Sequence, residues 1–196
     1  MKNNIKWLIG SALLLGSITC HAEVIITPYI GFTGGGNVED EDGAKFDIEP
    51  SPNYALAVET PFENGRLGLF YSYQSTELER VNNNSDFHYL HFQSSILYPI
   101  SQGWSSQLGI GLGAAYTDVD WADTKYGFSA TAFLGMEYAI SPEFALTAQV
   151  RWLGTVVDND TSGACVLPDD GSNCVIKFET DWMNQFQSNI GFTFRF

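Results

Sequence analysis

Apolar and polar residues alternate with a period of two along most of the chain after residue 22, which is the periodicity of β-strands. The clearest stretch runs from Trp104 to Tyr116, where even-numbered positions are mostly apolar and odd-numbered positions are small or polar. The alternation recurs often enough to predict eight strands. They span 26–32, 54–58, 67–73, 90–98, 104–116, 128–138, 144–154 and 185–196.

The composition of the two strand faces separates a soluble β-fold from a membrane barrel. The polar face carries Gln, Ser, Thr, Gly and isolated charges, whereas the apolar face ends in aromatic residues. A soluble sandwich or lipocalin-like barrel would instead turn the apolar face inward and cover its outside with charges. Aromatic residues at both ends of an apolar face are typical of transmembrane barrels. The predicted fold is therefore an all-β, eight-stranded antiparallel up-and-down transmembrane β-barrel, closed so that every backbone group is paired.

The predicted connections alternate between short and long. Short turns are expected at 62–65, 99–103 and 140–143, and long polar loops at 36–52, 76–87, 117–126 and 155–182. The first turn contains Asn64-Gly65, a strong hairpin signal. Outer-membrane barrels have this arrangement, with the short turns facing the periplasm.

The N-terminus has the layout of an export signal. Lys2 and Lys6 precede the apolar run 7–15, and Cys20-His21-Ala22 closes the segment. This predicts a signal peptide at 1–22, cleaved after Ala22, and a barrel domain at 23–196. The apolar run is too short to span a bilayer. Cys20 leaves a lipoprotein open as an alternative, although residues 17–19 fit a lipobox poorly.

The charge is sparse and acidic. Charged residues make up 16% of the chain, with 9 basic and 23 acidic residues and a net charge of −14. This excludes a general nucleic-acid binder, and 44% apolar residues exclude a disordered chain. The four long loops hold 18 of the acidic residues, so we expect the acidity at one end of the barrel. There it could meet divalent cations, lipopolysaccharide or external partners.

Cys165 and Cys174 lie within the fourth long loop. A pair of cysteines in an exported chain predicts one disulfide, with two free thiols as the alternative.

Several charged residues fall on the inward face. Glu59, Glu137, Arg151 and Arg195 are expected to form a lumen charge network, because an unpaired buried charge costs several kcal/mol. Their predicted neighbours are His91, Gln93, Gln107 and Gln149. An eight-stranded barrel has an interior just wide enough to be filled by side chains. Packing is therefore the favoured role of the network, and a narrow gated ion path is the alternative.

Two loop segments have a spacing similar to that of calcium-binding loops. Weak metal candidates are Asp40, Asp42 and Glu49 in the first loop, and Asp158, Asp160 and Asp169 in the fourth. Val38 occupies the opening position of the first segment, and both segments lie between strands rather than helices. Solvated acidic loops are the favoured interpretation, and no cofactor is expected.

The first and last strands carry a family resemblance. Ile26-Thr27-Pro28-Tyr29-Ile30-Gly31-Phe32 and the closing 190–196 resemble strands of the OmpA transmembrane domain and the OmpX/Ail-type barrels of Gram-negative bacteria. The resemblance implies that Phe192, Phe194 and Phe196 form the signal read by the barrel assembly machinery. No peptidoglycan-binding domain is expected after residue 196.

The resemblance implies a monomeric outer-membrane protein with a structural or surface-interaction role through acidic loops. A narrow OmpA- or OmpW-like channel for ions or small molecules is the alternative. A lipid A-modifying enzyme is less expected, although 88–95 contains His and Ser residues. The alternation places His91 and Ser94 on opposite faces. The His-x-Ser motif of such enzymes is absent, because Gln93 occupies the position where the motif requires Ser. No catalytic residue is therefore predicted.

Overall fold

The computed structural model describes residues 23–35, 37–40, 45–47, 50–78, 81–118, 126–156, 163–166, 173–177 and 182–196. These residues form twelve strands and no helix. The strands are β1 (Ile25–Gly34), β2 (Asn37–Asp40), β3 (Lys45–Asp47), β4 (Ser51–Phe62), β5 (Gly65–Leu78), β6 (Val81–Ser101), β7 (Trp104–Asp118), β8 (Tyr126–Ala139), β9 (Phe144–Val156), β10 (Gly163–Val166), β11 (Asn173–Lys177) and β12 (Trp182–Arg195).

Eight long strands close into an antiparallel barrel in the order β1-β12-β9-β8-β7-β6-β5-β4. Closure comes from β1, which pairs with β12 on one side and β4 on the other, so that Ile30 lies opposite both Ile190 and Tyr54. A closed sheet leaves no edge of unpaired N–H and C=O groups. The predicted eight-stranded up-and-down barrel is confirmed.

The predicted faces also agree with the burial of the side chains. Along β12, inward residues such as Thr193 are fully buried, while outward residues such as Phe186 are 63% exposed. Large apolar side chains therefore cover the outside of the barrel, and most of the buried side chains inside it are polar. This is the reverse of a soluble barrel. Among the described residues, no helix has the length and apolar character needed to cross a membrane.

The prediction of a second long loop at 76–87 is wrong. Strands β5 and β6 continue through most of it, and only residues 79 and 80 separate them. Their pairing runs through Ser75↔Asp86 and shifts register at Glu77/Leu78. Backbone pairing needs no apolar side chains, so the polar run 82–86 gave no periodic signal of a strand.

Short strands in the first and fourth long loops form a second sheet, in the order β10-β11-β2-β3. The two loops meet where β11 pairs with β2, through Ile176↔Asp40 and Lys177↔Glu39. Strands of three to five residues are too short for an alternation to be recognised, so these segments were predicted only as loops. The backbone register of β10 and β11 places Cys165 directly opposite Cys174.

The first short turn differs in detail from its sequence signal. Glu63 and Asn64 form the turn, with Glu63 at a φ of 50°, and Gly65 is already the first residue of β5. A Cβ on Gly65 would clash with the carbonyl oxygen of Ser95 on β6. The glycine of the Asn-Gly pair is therefore required by a close approach between strands and not by the turn.

Candidate functional site in the barrel lumen

Four charged side chains meet inside the short-turn end of the barrel. This ion-pair cluster consists of Glu59, Arg66, Glu137 and Arg195. Arg66 donates to Glu137, with Nη2 2.7 Å from Oε2, and its Nη1 lies 4.0 Å from Glu59 Oε2. Arg195 donates to the other carboxylate oxygen of Glu137 and also to the carbonyl of Pro142, at 3.0 Å. Two carboxylates and two guanidinium groups balance each other at this end.

Burial makes this balance necessary. The side chains of Arg66, Glu59 and Glu137 are 6% exposed or less, and that of Arg195 is 18% exposed. A buried charge without a partner costs several kcal/mol, and each carboxylate here faces at least one guanidinium group. Glu137 forms ion pairs with two guanidinium groups, those of Arg66 and Arg195, so it is the centre of the cluster.

Arg66 is absent from the predicted charge network. The predicted turn ends at residue 65 and the predicted strand begins at Leu67, so Arg66 lies between the two. The structure starts β5 at Gly65 and buries Arg66 at the same inward parity as Phe70. Extending the alternation by one residue toward the turn includes Arg66.

Arg151 lies further along the lumen and is not part of the ion-pair cluster. Its guanidinium group sits between two aromatic rings, 3.6 Å from the centroid of Phe70 and 4.1 Å from that of Phe133. It donates to Gln93 at 2.8 Å and to Thr131 at 3.2 Å. Among the described residues no carboxylate pairs with it directly.

A shared glutamine connects Arg151 to the cluster. Gln93 accepts from Arg151 through Oε1 and donates to Glu59 at 2.8 Å through Nε2. The expected direct contact between Arg151 and a glutamate is replaced by this relay and by two cation–π contacts, each of which contributes about 0.5–2 kcal/mol. The aromatic partners are not predicted from the sequence, because aromatic residues in a barrel strand are expected mainly on the outer face.

The long-loop end of the lumen is filled differently, by an apolar cluster. Its members are Phe87, Tyr89, Ala115, Leu153 and Met183. Tyr89 donates its hydroxyl to Gln185 at 2.5 Å. Side chains therefore occupy the lumen at both ends and, through Arg151, between them.

His91 does not form the constellation needed for hydrolysis. It is fully buried, and its Nε2 lies 3.0 Å from Oγ of Ser129, whereas Ser94 is on the exposed face. Its Nδ1 atom, which would need an acidic partner in a catalytic triad, has no hydrogen-bond partner among the residues that the structure describes. The placement of His91 and Ser94 on opposite faces agrees with the prediction.

One wall of the lumen carries a row of amides in register across neighbouring strands. This amide row consists of Gln149, Asn189, Asn53 and Gln74, with Gly31 between Asn189 and Asn53. Each amide has one buried polar atom without a hydrogen-bond partner among the described residues. Four unpartnered polar atoms therefore lie side by side along this wall of the described barrel.

The C-terminal phenylalanines point outward. Phe192 and Phe194 pack on Phe144, with ring centroids 5.5 and 5.3 Å apart. Phe196 is 75% exposed at the end of the chain. These contacts tie the last strand to β9, and recognition by the assembly machinery stays a prediction.

The remaining sequence candidates fall largely outside the described residues. These are the signal segment 1–22 with Cys20, and the acids Asp42, Glu49, Asp158, Asp160 and Asp169. Asp40 belongs to β2. The part of the chain that the structure describes contains no group of three or more His, Cys, Asp or Glu side chains that could hold a metal ion.

Comparisons with known proteins identify the fold. No protein-family model matches the chain, and neither does any curated protein sequence. Solved structures do match. Neisserial surface protein A has 11% identity and a TM-score of 0.64, with 89% of this chain and 97% of that chain covered.

Two further barrels are similar over their whole lengths. The outer membrane protein OprG from Pseudomonas aeruginosa has 12% identity and a TM-score of 0.58, with 89% of this chain and 96% of that chain covered. The outer membrane protein AlkL, solved in lipid bilayers, has 14% identity and a TM-score of 0.53, covering 99% of this chain and 97% of its own.

Proposed function

We propose, from the premise that this chain has the fold of eight-stranded outer-membrane β-barrels, that it is an integral outer-membrane protein with a structural or surface-interaction role. The observation that carries the proposal is the pairing of an apolar outer face with a side-chain-filled lumen. The wall is built to stay in a bilayer, and the interior is occupied by the ion-pair cluster, Arg151 and the apolar cluster. The interacting part is then the set of long acidic loops.

Surface presentation of the loops can be tested by proteolysis of intact cells. Trypsin cleaves after Lys and Arg, and the connections at the long-loop end of the barrel strands contain Lys45, Arg80, Lys125 and Lys177. We expect cleavage at these positions in intact cells, while Arg66, Arg151 and Arg195 stay protected inside the barrel. Cleavage only after the cells are broken would contradict the proposed orientation.

The non-conducting role can be tested separately in proteoliposomes. Because side chains fill the lumen, we expect release of entrapped potassium and small sugars at the rate of protein-free vesicles. Faster release by the folded, heat-modifiable protein would favour the channel instead.

Ca²⁺ binding by the acidic loops can be measured by isothermal titration calorimetry of the refolded barrel. The absence of a heat signal would remove divalent cations from the proposed partners.

A narrow channel is the second candidate, and the amide row favours it. Four neighbouring amides each have a polar atom without a hydrogen-bond partner among the described residues. These atoms provide a surface that can bind water or a small ion. Glu137 would then control the passage, because it holds both arginines of the ion-pair cluster. Conductance that is absent in the wild type and present in Glu137→Ala would support this candidate, and silence of both proteins would remove it.

A further inference from the structure

The lipid-facing wall carries a groove of about 720 Å³ that crosses five neighbouring strands, β8, β9, β12, β1 and β4. Each strand contributes three consecutive residues. The middle residue of each triplet points into the barrel, so its backbone forms the floor, and the outer two provide walls. The triplets are 30–32, 52–54, 134–136, 148–150 and 188–190.

Small outward side chains create the depth of the groove at its centre. Ala148 on β9 lies opposite Met136, and Ser188 on β12 lies opposite Phe32. Both small residues are exposed on the outer face, and both are flanked by large apolar neighbours. The surface is therefore concave where most of the barrel wall is covered by Leu, Ile and aromatic side chains.

The groove runs diagonally across the wall. Its residues on β8, 134–136, are near the short-turn end of that strand, and its residues on β4, 52–54, are near the long-loop end. Five strands spaced about 4.8 Å apart give it a length of about 19 Å, measured across the strands. An elongated apolar occupant fits this shape better than a compact one.

We propose that this groove binds an acyl chain of a membrane phospholipid. The inference rests on the proposed outer-membrane location, because only there does the groove open onto hydrocarbon. Lipid tails are as apolar as the wall, so burial alone does not favour one chain position over another. A concave surface does, since it contacts the chain on several sides, and dispersion contacts add up over its length.

The charge distribution favours a phospholipid over lipopolysaccharide. Lipopolysaccharide phosphates would meet the long-loop end, where the sequence is strongly acidic. The described arginines, Arg66, Arg151 and Arg195, lie inside the barrel. At the short-turn end, the rings of Trp104 and Tyr138 pack at a tilt of 40° with centroids 4.9 Å apart, and Tyr138 follows Met136 on the outward face of β8. Such aromatic pairs lie at the headgroup level of a bilayer.

Filling the groove tests the proposal. The protein is refolded with a phosphatidylcholine, and the lipids retained by the gently delipidated barrel are counted by native mass spectrometry. We expect retained phospholipid on the wild type and at least a tenfold lower lipid-bound fraction for Ala148→Phe. Ser188→Phe is a second filling variant and should lose the lipid in the same way. Ala114→Phe, on the outer face of β7 away from the groove, is the matched control and should keep it.

Three results would overturn the proposal. Equal retention by filled and control variants would show that the lipid is bound elsewhere. Preferential retention of lipopolysaccharide from a mixture would exclude the phospholipid assignment. A dimer lost on filling would assign the groove to a second copy of the chain. Heat-modifiable migration of each variant separates these results from misfolding, and a folded barrel without the lipid leaves the proposed function intact.

Discussion

Gln107 and Ile110 lie three residues apart on β7 and meet opposite surroundings. Gln107 is 4% exposed and donates to Ser95 on the neighbouring strand β6, while Ile110 is 68% exposed on the outer face. The same contrast runs around the whole barrel. On the outer face, any apolar side chain is compatible with the surrounding hydrocarbon. On the inner face, each polar group needs a partner at a given distance, so this face carries the specific contacts.

This difference predicts how each face responds to substitution. The inner face should be sensitive to the loss of a single partner even when the replacement is small. The outer face should tolerate changes of shape and respond to changes of polarity.

The largest effect is expected at the centre of the ion-pair cluster. Glu137→Ala leaves Arg66 and Arg195 buried without their shared carboxylate, which costs about 3–5 kcal/mol of unfolding free energy. Urea unfolding of the refolded protein in lipid vesicles measures it. Glu143→Ala, an exposed glutamate in the neighbouring turn, is the control and should change stability by less than about 0.5 kcal/mol. Equal effects of the two substitutions would contradict the role of the cluster.

A charge in the middle of the outer face comes next. Ile110→Arg should cost about 2–4 kcal/mol in vesicles, because the guanidinium group would lie near the bilayer midplane. Ile110→Phe keeps the position apolar and should be close to neutral. The same urea titration compares the two variants. If Ile110→Arg were tolerated as well as Ile110→Phe, this surface would not face hydrocarbon.

The aromatic contacts of Arg151 provide a smaller test on the inner face. Phe70→Leu removes one of the two rings beside the guanidinium group and leaves a small gap, for an expected loss of about 1–2 kcal/mol. Phe92→Leu is the matched change on the outer face, where Phe92 is 56% exposed, and it should cost less than about 0.5 kcal/mol. A larger loss from Phe92→Leu would reverse the comparison.

The smallest effect on the barrel is expected from the cysteines. Cys165 and Cys174 face each other in the backbone register of β10 and β11, at a separation that opposite strand residues share with disulfides. We expect an intact mass lower by two hydrogens than that of the reduced chain. Cys165→Ser should leave the unfolding free energy of the barrel nearly unchanged, because the hairpin lies outside it. Two freely alkylated thiols in the native protein would rule out the disulfide.

The alternation of residues predicts the barrel well because the environments on its two faces differ along the whole length of each strand. Hydrocarbon outside and a packed polar lumen inside impose a period of two over ten or more residues, so strands such as β7 and β12 are visible in the sequence. Residues beyond the apolar belt lack that constraint. The extension of β5 and β6 through 76–87 and the small loop sheet are set by backbone pairing, which leaves little trace in composition.

The lumen site is predictable in kind but not in detail. Inward parity identifies Glu59, Glu137, Arg151 and Arg195 as interior charges. Which of them meet depends on the stagger between strands, and one sequence does not contain that information. The stagger brings Arg66 to Glu137 and places Arg151 between Phe70 and Phe133.

The filled lumen is tested most directly by the electrical conductance of the wild-type protein in planar bilayers. The folded barrel, verified by heat-modifiable migration, is inserted and recorded at voltages of both signs. Because the ion-pair cluster, Arg151 and the apolar cluster occupy successive levels of the interior, insertion should produce no sustained current. A steady, reproducible open-channel conductance of the wild type would contradict a lumen filled by side chains.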